Sequence, residues 1–233
     1  MDTEQTAGTR AENEHGSYWV PEGLENRPAA KMVLAGKVYE PDTIRFICAH
    51  AGDGDVIHAG TFFGDFLPAL SAALIPGARL WAFEPNPGSH AAALRTIGLN
   101  GLDNVTLTNA AVSDAVEPVL FRTRHPDGRA LGGVSHYVEE PGPGVETVES
   151  VMLDYAVPSD RRITVLQLDV EGHEARALRG AYHIINRCRP ILVLEYFDQE
   201  QWIRRTFRGL GYRKAGKVHG NFVYAPDGTD LRL

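Results

Sequence analysis

A chain of 233 residues has room for one α/β domain with a core on both faces of a sheet, and little room for two. Its net charge of −7 argues against nucleic acid as the main partner, because phosphate binding needs a basic surface. Its two cysteines, Cys48 and Cys188, lie far apart and outside any Cys-x-x-Cys pair, so neither a disulfide framework nor a zinc knuckle is indicated.

The first 16 residues are polar and carry no secretory signal, and no apolar run reaches membrane-spanning length. The reading is a cytoplasmic protein with no membrane partner, opening on a disordered tail over residues 1–17. A lead-in over residues 18–53 follows. It holds a helix within Leu24 to Leu34, its start limited by Pro28, and helical spacing from Thr43 to Ala49.

The core pattern begins at Asp55. Val56-Ile57-His58-Ala59 is short and apolar, as a buried parallel strand should be. Phe66 to Ile75 reads as a helix ended by Pro76-Gly77, Ala78 to Phe83 as a strand, Gly88 to Leu99 as a helix, and Val105 to Thr108 as a strand. Asn109 to Asp114 reads as a loop. The stretch from about 117 to 157 lacks a helix and offers short strands at Val119-Leu120-Phe121, Val134 to Val138 and Val145 to Leu153. It reads as an insertion on the substrate side, with Arg122 to Val148 supplying acceptor contacts and a lid. Thr164 to Leu168 is a strand, Glu171 to Asn186 one helix, Ile191 to Glu195 a strand, and Gln199 to Leu210 a helix. Tyr212 to Val218 and Asn221 to Tyr224 close the chain as an antiparallel hairpin. The whole reads as a Rossmann-like α/β fold with a mostly parallel sheet.

Within this order, Gly60-Thr61-Phe62-Phe63-Gly64 joins a strand to a helix, and Glu84 ends the next strand. Glycines allow close backbone approach to a ligand, and a strand-end acid can accept from both hydroxyls of a ribose. A nicotinamide-type turn needs a third glycine and close access for a diphosphate; this turn carries two aromatics instead. S-adenosylmethionine suits it better, with a ribose, an adenine and a sulfonium that carboxylates and aromatic faces attract.

The chain resembles the FkbM family of S-adenosylmethionine-dependent methyltransferases. The matching pieces are Val56 to Gly64, Phe83-Glu84-Pro85-Asn86-Pro87, Asn109 to Asp114, Leu168-Asp169-Val170-Glu171-Gly172-His173-Glu174 and Arg189 to Glu195. The resemblance covers roughly Glu40 to Tyr224. It implies a class I methyltransferase fold, with seven strands and the last one reversed. It also implies methyl transfer to an oxygen, often a sugar or natural-product hydroxyl, hence a small-molecule acceptor. Such enzymes usually carry an acid where His58 stands; Asp65, Asp169 or Glu40 would compensate for the missing charge.

The expected cofactor contacts are His58, Gly60, Thr61, Phe62, Gly64, Glu84, Ala111, Ser113 and Asp169, with Asp114 also near the adenine. Asp169, His136 and His173 are the candidates for removing the hydroxyl proton. Glu40, Glu171 and Glu174 are secondary candidates; the dipole at a helix start accounts for Glu171 equally well. Magnesium is compatible with these acids, but no metal-ligand spacing indicates it. Oligomeric state is open, a homodimer included. Two other readings stand beside this one: a nicotinamide-dependent oxidoreductase, and a methyltransferase-fold protein that binds cofactor without turnover.

Overall fold

In a computed structural model that describes residues 7–231, the elements follow a βα order after an N-terminal hairpin. The hairpin is β1 (Gly8–Asn13) and β2 (Gly16–Pro21), followed by α1 (Pro28–Leu34) and α2 (Pro41–His50). Next come β3 (Asp55–Ala59), α3 (Leu67–Ala73), β4 (Leu80–Phe83), α4 (Pro87–Asn100) and β5 (Val105–Thr108). The middle holds β6 (Ala111–Val112), β7 (Pro118–Arg122), β8 (His136–Tyr137), β9 (Val145–Val151) and α5 (Leu153–Ala156). The chain ends with β10 (Ile163–Leu168), α6 (Glu174–Arg179), α7 (Tyr182–Cys188), β11 (Ile191–Glu195), α8 (Glu200–Thr206), β12 (Arg213–Val218) and β13 (Asn221–Ala225).

Seven strands form the main sheet in the order β12-β13-β11-β10-β3-β4-β5. The run from β11 to β5 is parallel, while β13 is antiparallel to both of its neighbours. Every residue of β3 and β4 is buried, which is why those strands read as unbroken apolar runs. Their side chains alternate between the faces. Ile57, Trp81, Leu166 and Leu192 pack with α6 and α7 on one side. Val56, Leu80, Val165 and Val193 pack with α2 and α3 on the other. His58 falls in register with Val56 and so points toward α3, where its ring stacks on Phe66 at 5.2 Å.

Four sequence expectations need correction. The tail expected to be disordered over residues 1–17 is, from Gly8 on, a hairpin docked on α4; Met1 to Thr6 lie outside the described residues. Composition could not reveal its partners. Asn100 accepts from Ser17 N (2.9 Å) and donates to Ser17 O (2.6 Å), Thr96 Oγ1 accepts from Trp19 N, and Tyr18 and Val20 are fully buried. The helix expected from Glu171 to Asn186 is two. Gly180 lies against the chain at Ser113, and a β-carbon there would fall 1.9 Å from Ser113 O. After it, Asp154 accepts from His183 N and Ile184 N to start α7. Finally, Val134 to Val138 is no continuous strand: a 3₁₀ turn over Gly132–Val134 precedes the two-residue β8. Between β5 and β10 the chain forms a second sheet in the order β6-β9-β7-β8, so the segment expected to be a loop over Asn109 to Asp114 contains β6.

Candidate active site

The carboxyl ends of β3, β4, β10 and β11 open into one cavity of about 330 Å³, where open α/β sheets bind ligands. The Gly60–Gly64 turn forms part of its wall. Gly60 and Thr61 donate to Phe83 O (3.0 and 3.2 Å), tying the turn to the end of β4. Gly60 has φ +91, and a β-carbon there would fall 1.9 Å from Asp169 O. Phe62 takes the left-handed region at φ 50, which a bulky residue adopts only when packing holds it. Its ring is held edge-on to Phe63 (4.7 Å) in a cluster with Tyr18, Leu24 and Ala30. That cluster depends on the N-terminal hairpin.

Glu84 is buried at the tip of β4. Its Oε2 accepts from Phe62 N (2.7 Å) and its Oε1 from Asn86 N (2.8 Å). Each oxygen of a carboxylate has a second lone pair, so two acceptor positions remain on a side chain that lines the cavity. Burial pushes its carboxyl up to about 8, against the two backbone N–H groups that favour the ionised form.

His58 Nδ1 is paired with Gln167 Oε1. An amide oxygen only accepts, so Nδ1 carries the proton and Nε2 is a bare acceptor. Burial holds the imidazole down to about 4, so it is neutral at pH 7. Nε2 is sealed from solvent and has no partner among the described residues.

Asp169 and Glu171 line the same cavity, as do Asp65, Glu40 and Ala111. Burial raises Asp65 to about 7. Asp169 stands well above the ordinary carboxyl range, first through burial and then through the neighbouring Glu195 carboxyl. Glu40 Oε2 accepts from Thr43 Oγ1 (2.8 Å) and Asn221 Nδ2 (2.9 Å), which orients it on the cavity wall. Against six lining carboxyls, the wall carries one guanidinium, Arg27, whose Nη2 donates to Ala130 O (3.0 Å).

Other expected residues fall elsewhere. His136 and His173 do not line the cavity. His136 turns Nδ1 to Val134 O (3.0 Å). His173 lies behind Tyr137, rings stacked at 3.5 Å, with Nε2 3.5 Å from Ser113 Oγ. Burial, then Arg176, lowers its imidazole to about 4. Thr61 is buried, with its hydroxyl on His58 O, and Gly64 packs toward Leu67 and Thr96. Ser113 is buried outside the lining, and Asp114 is held by Arg176 and Arg179. Glu174 accepts from Val170 N and Gly172 N, so it braces the Asp169–Glu174 turn from beneath. The sequence reading passed over Tyr39, Gln167, Glu195 and Tyr196 as site residues, all on the lining. Glu195 carried the same signal as Glu84 and Asp169: an acid at the end of a parallel strand.

These groups make stability depend on pH. Glu84, Asp65 and Asp169 keep protons in the folded state that an unfolded chain loses near pH 4. The folded state therefore binds more protons, and stability falls as pH rises through the folded values of about 7 and 8. His58, His90 and His173 are lowered and act oppositely, but only below the ordinary imidazole value of about 6.5. Between pH 6.5 and 8.5 the ligand-free melting temperature is expected to fall by several degrees, each proton contributing up to about 1.4 kcal/mol per pH unit. Calorimetry across that range checks it; a flat or rising profile would contradict the burial of these acids.

The sheet order, the strand-end cavity and the glycine turn together define a class I methyltransferase fold. The sequence matches the Methyltransferase FkbM domain over residues 49–214, and the chain belongs to that family. A solved methyltransferase FkbM from Methylobacillus flagellatus KT superposes with TM-score 0.50 at 16% identity, covering 74% of this chain. The match spans 43% of that protein, less than half its length. An S-adenosylmethionine-dependent methyltransferase from Aquifex aeolicus aligns over 81% of this chain and 89% of its own, at 15% identity and TM-score 0.42. A tRNA (uracil-54, C5)-methyltransferase from Pyrococcus abyssi, solved with S-adenosyl-L-homocysteine, aligns over 93% of this chain and 43% of its own, at 14% identity and TM-score 0.44. No curated protein matches the sequence. No helix among the described residues is long and apolar enough to cross a membrane.

Proposed function

We propose that this chain moves a methyl group from S-adenosylmethionine to a hydroxyl oxygen of a small molecule such as a sugar or natural product. The observation that carries the reading is the pairing of Glu84, whose two free acceptor positions suit a ribose diol, with an excess of carboxyls over cations along the wall. The residues present fit the cofactor. The Gly60 turn leaves no room for a β-carbon, and His58 Nε2 is a buried acceptor without a donor, suited to an ammonium. Asp65 lines the same cavity, and a bound ammonium would favour its ionised form, giving the negative charge that His58 lacks. Bound there, the cofactor supplies an electrophilic methyl on a sulfonium. Asp169, at the strand end beyond the turn, receives the hydroxyl proton when ionised, and its raised affinity for a proton suits a general base. His136 and His173, away from the cavity, are set aside for that role.

A nicotinamide cofactor fits poorly, because its diphosphate would sit among these carboxyls. The test is binding by the purified full chain, followed by calorimetry and thermal shift. S-adenosylhomocysteine is expected to bind and raise the melting temperature, and NADH is not. The reverse preference would overturn the reading. Cofactor binding without methyl transfer to any hydroxyl acceptor would favour the non-catalytic alternative.

A further inference from the structure

Beyond the cofactor turn, three carboxylates meet from two separate stretches of chain. Asp169 follows β10, Glu171 lies two residues on at φ 52, and Glu195 ends β11. One oxygen from each lies within 4.8 Å of the others. Adjacent parallel strands create this convergence; spacing in the sequence does not display it. Among the described residues none of the three forms an ion pair, although charges this close repel strongly. A separate observation points the same way. Asp169 Oδ1 is sealed from solvent and has no partner among the described residues, an arrangement that costs free energy unless something occupies it.

We propose that Asp169, Glu171 and Glu195 bind one divalent cation of the magnesium, manganese or calcium type at the acceptor end of the cavity. The ligand set is all hard oxygen, which selects these ions over zinc or copper. Oxygens on opposite sides of a calcium ion are about 4.6–5.2 Å apart, so a spread within 4.8 Å fits a calcium-sized sphere, while magnesium, at about 4.2 Å, needs the side chains to close by a few tenths of an ångström. Three carboxylates overcompensate a monovalent ammonium and match a divalent ion whose remaining positions go to water and to the acceptor's oxygen. There the ion would polarise the hydroxyl that is to be methylated. The ion site itself stands on the carboxylates alone and does not require the methyl-transfer reading.

The experiment is manganese titration of the chelator-treated full chain, read by electron paramagnetic resonance and calorimetry, with and without S-adenosylhomocysteine. One manganese ion per chain is expected, displaced by magnesium or calcium. Glu195→Gln should weaken it at least about ten-fold while S-adenosylhomocysteine affinity stays within about three-fold. Glu171→Gln tests the same site at an exposed position where folding is not at stake, and should weaken manganese similarly. Absent or unsaturable manganese binding, or binding that both variants leave unchanged, overturns the site. Because S-adenosylhomocysteine binding is read in the same samples, a failed metal site and a failed cofactor reading give different results.

Discussion

Glu84→Ala should leave a protein that no longer binds S-adenosylhomocysteine measurably. Under the proposed function this carboxylate accepts from both ribose hydroxyls, and each charged hydrogen bond is worth about 1.5–3 kcal/mol. Losing both predicts at least about a hundred-fold fall in affinity. The same change strips Phe62 N and Asn86 N of their acceptor, so two buried amides lose partners and the melting temperature should drop too. Glu84→Gln separates the two effects. It keeps the shape, but whichever way the amide turns, its –NH₂ faces one of those donors. It should melt closer to the parent chain than Glu84→Ala and still bind weakly. Calorimetry on both variants checks this; unchanged affinity in either would remove Glu84 from the cofactor site.

Gly60→Ala is expected to have the largest effect on folding of any one-methyl change here. Two penalties coincide. The residue sits at φ +91, where a side chain is strained, and the new carbon would lie 1.9 Å from the backbone oxygen of Asp169. That oxygen belongs to the end of a central strand and cannot rotate away. Strain of about 1–3 kcal/mol and a similar overpacking cost together predict a loss of about 3–5 kcal/mol. Thermal unfolding of the purified variant measures it. A variant melting within a degree of the parent, with cofactor affinity intact, would mean that the turn is looser than described.

How much of this was readable beforehand follows from what each signal depends on. Strands β3, β4, β10 and β11 were legible because burial on both faces leaves an unbroken apolar run. The terminal hairpin followed from the turn at His219-Gly220, and the reversed last strand from the family resemblance. Glu84 and Asp169 were found by one rule, an acid where a parallel strand ends. Glu195 obeys that rule too, and its strand was matched to the family without the acid at its end being singled out. The histidines failed for a different reason. His173 was singled out for lying near Asp169 in sequence, yet one turn later the chain has swung it behind Tyr137. The docked hairpin was invisible because its stabilising partners, Thr96 and Asn100, lie some 80 residues away and look like ordinary helix residues.

The ring of Phe62 touches more than the cofactor turn. A β-carbon on Gly132, in the segment between β7 and β8, would fall 2.9 Å from it and 3.0 Å from Leu24 of the lead-in. Three stretches of chain far apart in sequence thus meet at one aromatic edge with no slack between them. Under the proposed function, the donor and the recipient would lie on either side of a common partition in one cavity. A substitution that shifts that partition will register on both sides, and engineering of recipient choice around Gly132 should be expected to disturb donor affinity as well.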